Sequence, residues 1–200
     1  MSDEHHHGPP QAAVVHRDKF GMWLFLASEV MFFTGFIAAY IVLRNAHAGT
    51  DGDPFLLANR HLSVPLAATN TLALILSSFT MALAVGASQK GDKGKTQLFM
   101  LATIALACVF LVIKYIEYST KFHHGFTPDA NVFFGMYFLL TGFHGLHVGG
   151  GIVTIAILVF VNAQGKFSAE YNTPIEVTGL YWHLVDIVWI FLFPMLYLLP

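Results

Sequence analysis

The chain has 200 residues, 56% of them hydrophobic and 11% charged, with a mean hydropathy of +0.62. A soluble domain carries about 25% charged residues, so this composition excludes an ordinary water-soluble domain and points to an integral membrane protein. The net charge of −2 says nothing of partners, and no basic block or aromatic–basic interleaving points to nucleic acid.

In chain order, residues 1–19 read as a polar, disordered tail rich in His and Pro, with His5-His6-His7 as part of it. No short apolar core precedes a small-residue cleavage site there, so no cleaved signal peptide is expected. Residues 20–200 read as one transmembrane domain, an all-α bundle of five helices over about 20–43, 64–87, 96–118, 132–161 and 175–198. Each exceeds the ~20 residues that cross ~30 Å of hydrocarbon at about 1.5 Å per residue. The runs are too long for barrel strands and lack period-two alternation. Gly49 to Pro54, Gly91 to Gly94 and Thr127 to Asp129 have turn chemistry, so these connections read as loops. Cys108 lies mid-span without an intrachain partner and reads as a small buried hydrophobe.

Orientation follows from Lys and Arg near the span ends. Arg17, Lys19, Lys90, Lys93, Lys95 and Lys166 fall on one side; Arg44, Arg60 and Lys121 fall on the other. This bias predicts a cytoplasmic N-terminus and an outside C-terminus.

Ionisable side chains at the bilayer centre cost about 2.5–3.5 kcal/mol each, so those kept there mark where function should be sought. Glu29 in the first span, with Ser28 beside it, His144 and His147 in the fourth, and His183 and Asp186 in the fifth all fall at a similar central depth. They are the candidate buried polar network. A packing network of hydrogen bonds, a proton- or water-related role, and metal or haem ligation are all compatible with these residues. No Glu-x-x-His pair of the di-iron type lies in the spans.

Gly142, Gly145 and Gly149 share one face of the fourth span and predict close helix packing, with the two histidines opposite. This pattern places the fourth span at the centre of the bundle. Trp182, Asp186 and Trp189 share a stripe on the fifth span, where the aspartate could accept both indole N–H bonds. Lys114 and Glu117 read as an i,i+3 ion pair near the outer face. His123 and His124 read as solvated.

Four segments resemble subunit III of the haem-copper terminal oxidases in its five-helix bacterial form. They are residues 21–33 around Glu29, Ile116-Glu117-Tyr118, Thr141 to Val148, and Tyr181 to Trp189. The last two are specific strings, and the resemblance covers essentially everything after residue 19. It implies an accessory subunit with no catalytic residue and no metal on this chain. Haem and copper would sit on partner subunits, and bound phospholipid is a further expectation.

The implied partners are subunit I, which it would stabilise and supply with protons, then subunit II and the other oxidase subunits, together with membrane lipid. The implied location is the bacterial inner membrane. Glu29 would be the family's carbodiimide-reactive glutamate, and His144, His147, His183 and Asp186 structural members of the same interior. Two features are not carried over. In many relatives two further N-terminal helices form a lipid-holding cleft, and Lys114 stands where relatives often carry a neutral polar residue.

The expected electron donor is cytochrome c. A quinol oxidase subunit or a nitric-oxide-reductase-associated relative is the alternative. A stand-alone transporter or channel with a Glu/His/Asp proton relay is a more distant one.

Overall fold

The computed structural model describes residues 11–50, 52–59 and 62–199. The His-rich start of the tail, Arg60 and His61 lie outside the described residues. The described chain is helical throughout: α1 (Gln11–His47), α2 (Pro54–Asn59), α3 (Val64–Gln89), α4 (Lys93–His123), α5 (Val132–Ala163) and α6 (Thr173–Phe193), continued by a π-helical turn at Pro194–Leu198. Five helical segments are long and apolar enough to cross a membrane: Lys19–His47, Val64–Gln89, Lys93–His123, Val132–Ala163 and Thr173–Leu198.

The helices overrun the expected spans: α1 begins at Gln11, inside the stretch expected to be a disordered tail, and α4 begins at Lys93, three residues early, while side-chain caps mark the starts of α4 and α5. Asp92 Oδ1 accepts from Lys95 N at 3.0 Å, and Asn131 Oδ1 accepts from Phe134 N at 2.9 Å. Each satisfies an amide that a helix start leaves without a partner. The α3–α4 connection turns through Gly91 at φ 72°, a backbone region that favours glycine.

Two expectations about the connections and the last span change. The first connection contains α2, which seals one end of the bundle with Phe55, 2% exposed and edge-on to Tyr40 and Phe133. The last span is not one regular α-helix to residue 198. Pro194 has no N–H, and its ring crowds the preceding turn. The chain responds by widening, with Leu199 N bonding Pro194 O at 3.0 Å, and so carries Tyr197 into the interior.

Helices α3, α4, α5 and α6 form a closed ring of neighbours, and α1 lies outside it against α5 and α6. The fifth span, not the fourth, is the central one: half of its most apolar window is buried, against 28% for α5. Leu146, Val153, Ile157 and Phe160 turn a whole flank of α5 outward. Trp182 and Trp189 on α6 are fully buried, and each indole N–H donates to a hydroxyl on α3, Ser77 Oγ and Thr71 Oγ1, both at 3.1 Å.

The close glycine approach falls at Gly151. A Cβ there would stand 2.5 and 2.7 Å from Trp182 ring carbons, whereas one on Gly145 or Gly149 meets nothing within 4 Å in this chain. Gly142 has only Tyr118 Oη nearby, at 3.9 Å. Cys108 is exposed on the apolar outer surface of α4 rather than buried.

Candidate functional site

Of the expected polar residues, the fold joins Glu29 and His147 directly. Glu29 Oε2 lies 2.8 Å from His147 Nε2, linking α1 to α5, with side-chain exposures of 18% and 20%. His147 Nδ1 is 2.7 Å from Phe143 O, a carbonyl that can only accept, so Nδ1 carries a hydrogen. In that tautomer a neutral imidazole presents a bare Nε2. One proton therefore lies between Nε2 and the carboxyl, and the pair is either acid plus imidazole or carboxylate plus imidazolium. Neither arrangement leaves a net charge in the span. The Phe33 ring packs edge-on to the imidazole at 5.1 Å, and Tyr181 Oη donates to His147 O at 2.9 Å. Ser28 stays out of this pair: its hydroxyl bonds back to Phe25 O at 2.7 Å.

The other three residues do not extend that pair into one hydrogen-bonded chain. His183 Nδ1 lies 2.6 Å from Ser78 Oγ, linking α6 to α3. Ser78 also borders Asp186, and which member of the Ser78–His183 pair donates is set by the imidazole tautomer. Asp186 is 3% exposed, and among the described residues neither of its oxygens has a hydrogen-bond partner. The indoles of Trp182 and Trp189 serve α3 hydroxyls, not this carboxyl, because burial of the rings against α3 turns their N–H edges that way. His144 is fully buried in an aromatic slot, with Phe110 at 5.5 Å and Trp189 at 4.9 Å, and among the described residues neither ring nitrogen is hydrogen-bonded. Among the described residues no three His, Cys, Asp or Glu side chains group as a metal would require.

The densest buried charge lies elsewhere. Lys114, Glu117 and Lys121 are 7%, 5% and 5% exposed, so the expected i,i+3 ion pair is present but belongs to an interior cluster. Lys114 Nζ donates to Glu117 Oε2 at 2.9 Å, Tyr197 Oη at 2.7 Å and Tyr137 Oη at 3.3 Å. Lys121 Nζ donates to Glu117 Oε1 at 2.8 Å, and Tyr197 Oη also donates to that oxygen at 2.8 Å. The Lys114 ammonium lies 4.7 Å from the Trp189 ring centroid, a desolvated cation–π contact. Beside it Tyr118 is hydrogen-bonded to Thr141. The spacing of Lys114, Glu117 and Lys121 on α4 was a legible signal of ion pairing. The burial was not, because Tyr197 reaches the cluster only through the turn at Pro194.

Outside the spans, the Lys95 amide and then its ammonium hold the Asp92 carboxyl below the usual carboxylate range. A hydrogen bond from Thr127 does the same for Asp129.

The family described as cytochrome c oxidase subunit III matches residues 1–199. A probable cytochrome c oxidase subunit 3 of Mycobacterium leprae (strain TN) is 36% identical over 177 residues, which covers 88% of this chain and 85% of that protein. The cytochrome c oxidase subunit 3 of Corynebacterium diphtheriae is 34% identical over 192 residues, 94% of this chain and 93% of the relative. That of Bacillus subtilis (strain 168) is 33% identical over 193 residues, 96% and 91% of the two chains.

Proposed function

From the membership of this chain in the cytochrome c oxidase subunit III family, we propose how an accessory subunit III of a haem-copper oxidase works here. It packs against subunit I, alongside subunit II, in a bacterial inner membrane. It keeps the catalytic subunit supplied with protons and intact during turnover. Its N-terminus is cytoplasmic, as the Lys and Arg bias implies. The redox chemistry belongs to haem and copper on the partner subunits. The names of the relatives support cytochrome c rather than quinol as electron donor.

The observation that carries this reading is the Glu29–His147 pair, 2.8 Å apart. It shares one proton with no net charge, and it ties α1, outside the four-helix ring, to α5 within it. Such a pair can hold a proton beside a partner without leaving a net charge in hydrocarbon. In Glu29→Ala the imidazole loses its partner while the ring of α3 to α6 is untouched. Oxygen consumption by the assembled complex should start near the wild-type rate and then decay several-fold faster with turnover. A complex that assembles correctly but shows no initial oxygen reduction would refute the accessory role of this pair.

A further inference from the structure

A cavity of about 360 Å³ opens between the start of α3 and the last turns of α4. Its lining combines two chemistries. Lys121, Ser63 and His124 are polar; Leu66, Ile116 and Phe126 are apolar.

The polar side is cationic and incompletely satisfied. With two ammoniums and one carboxylate, the Lys114–Glu117–Lys121 cluster has a formal charge of +1. All three N–H groups of Lys114 have acceptors. Lys121 has an acceptor among the described residues only in Glu117, although it is 5% exposed and lines the cavity. An ammonium has three donors, so this one retains capacity for an anion. Glu117 also lines the cavity, but both of its oxygens are engaged by lysine and tyrosine, so it presents no bare carboxylate. Ser63 occupies the N-cap position of α3 and among the described residues makes no cap hydrogen bond, which leaves its hydroxyl for a ligand. His124 Nδ1 is tied to Thr120 O at 2.7 Å, so Nε2 is the ring atom left for a ligand.

The apolar side decides the source of the anion. Ile116 is 53% exposed on the outer face of a membrane-spanning helix, and Leu66 lies on the first turn of α3. A free inorganic anion gains nothing from such a wall, whereas a lipid lays its acyl chain along it.

We propose that this cavity binds the phosphodiester of an anionic phospholipid, with the phosphate on Lys121, Ser63 and His124 and an acyl chain against Leu66 and Ile116. One negative charge neutralises the cluster, which favours an anionic over a zwitterionic headgroup. The site lies at the far end of α4 from Lys93 and does not involve the Glu29–His147 pair. Its failure would leave the proposed role of that pair standing.

The test is native mass spectrometry of the delipidated full chain in detergent, titrated with phosphatidylglycerol, phosphatidylcholine or inorganic phosphate. The expected result is one tightly held phosphatidylglycerol per chain, with phosphatidylcholine weaker by about fivefold, the scale of one surface cation acting on an anionic lipid. Millimolar phosphate should not displace it. Lys121→Met should lose about fivefold or more in phosphatidylglycerol affinity. Because that change touches the buried cluster, the double variant Ser63→Ala/His124→Leu, outside the ion network, should also weaken binding at an unchanged thermal midpoint. Equal affinity for both lipids, or unchanged phosphatidylglycerol binding in both variants, would overturn the site. Displacement by phosphate would overturn its assignment to lipid.

Discussion

Glu117 is the residue on which most of the interior charge depends. It accepts from both lysines and from Tyr197, so Glu117→Gln would leave two ammoniums buried with no counter-charge. Breaking a buried ion pair by removing one partner costs about 3–5 kcal/mol. Thermal unfolding in detergent should show a loss on that scale, or the variant should fail to accumulate. Lys114→Met should be milder, since it leaves Lys121 and Glu117 as a balanced pair. If the two variants proved equally stable, the cluster would not be held by its carboxylate. Sequence spacing identified Lys114 and Glu117 as partners on one helix face. Whether that face met water or tyrosine depended on residues about 20 and 80 positions away, Tyr137 and Tyr197.

At the scale of elements, helix contacts follow side-chain volume rather than small-residue pattern. Gly151 faces the Trp182 ring, whose position is held by its bond to Ser77. Gly151→Ala must push that ring or part α5 from α6. Overpacking of this kind costs about 1–3 kcal/mol. Gly145→Ala meets open space in this chain and should change the unfolding midpoint of the isolated subunit little. Equal loss in both variants would contradict this packing.

The cap of α4 gives a pH signature. Asp92 has a lowered folded pKa, so its contribution is present above the unfolded carboxylate pKa and is lost as pH falls through the folded one. Asp92→Ala should therefore lower the thermal midpoint at neutral pH and approach the wild type below about pH 3, on the acid side of the ordinary carboxylate range. A difference that persisted at acid pH would assign the effect to something other than the carboxylate.

For the whole molecule, the arrangement of a four-helix ring with α1 on its flank leaves α1 as the most exposed span, with only 17% of its apolar window buried. Phe20, Trp23, Leu24 and Met31 face outward from it. Orientation belongs at this scale because it is set by the sum of loop charges and not by any contact. A reporter that works only outside the cytoplasm, fused after Pro200, should be active, and one placed in the 90–92 turn should be silent. The opposite pattern would reverse the topology.

The amino-acid sequence by itself determined the membrane class, the number of spans and their order, because hydrocarbon thickness sets a length that apolar runs either meet or miss. It also marked Glu29 and His147 as polar groups at one depth, because charge in a span is expensive wherever the span packs. Only the tertiary structure decided which of those groups meet. Glu29 found His147, His183 found Ser78, and His144 and Asp186 found no hydrogen-bond partner among the described residues. Rotation of each helix about its axis is fixed by packing against neighbours distant in the chain. The proline that widens the end of the last span adds a shift in register that no helical period contains.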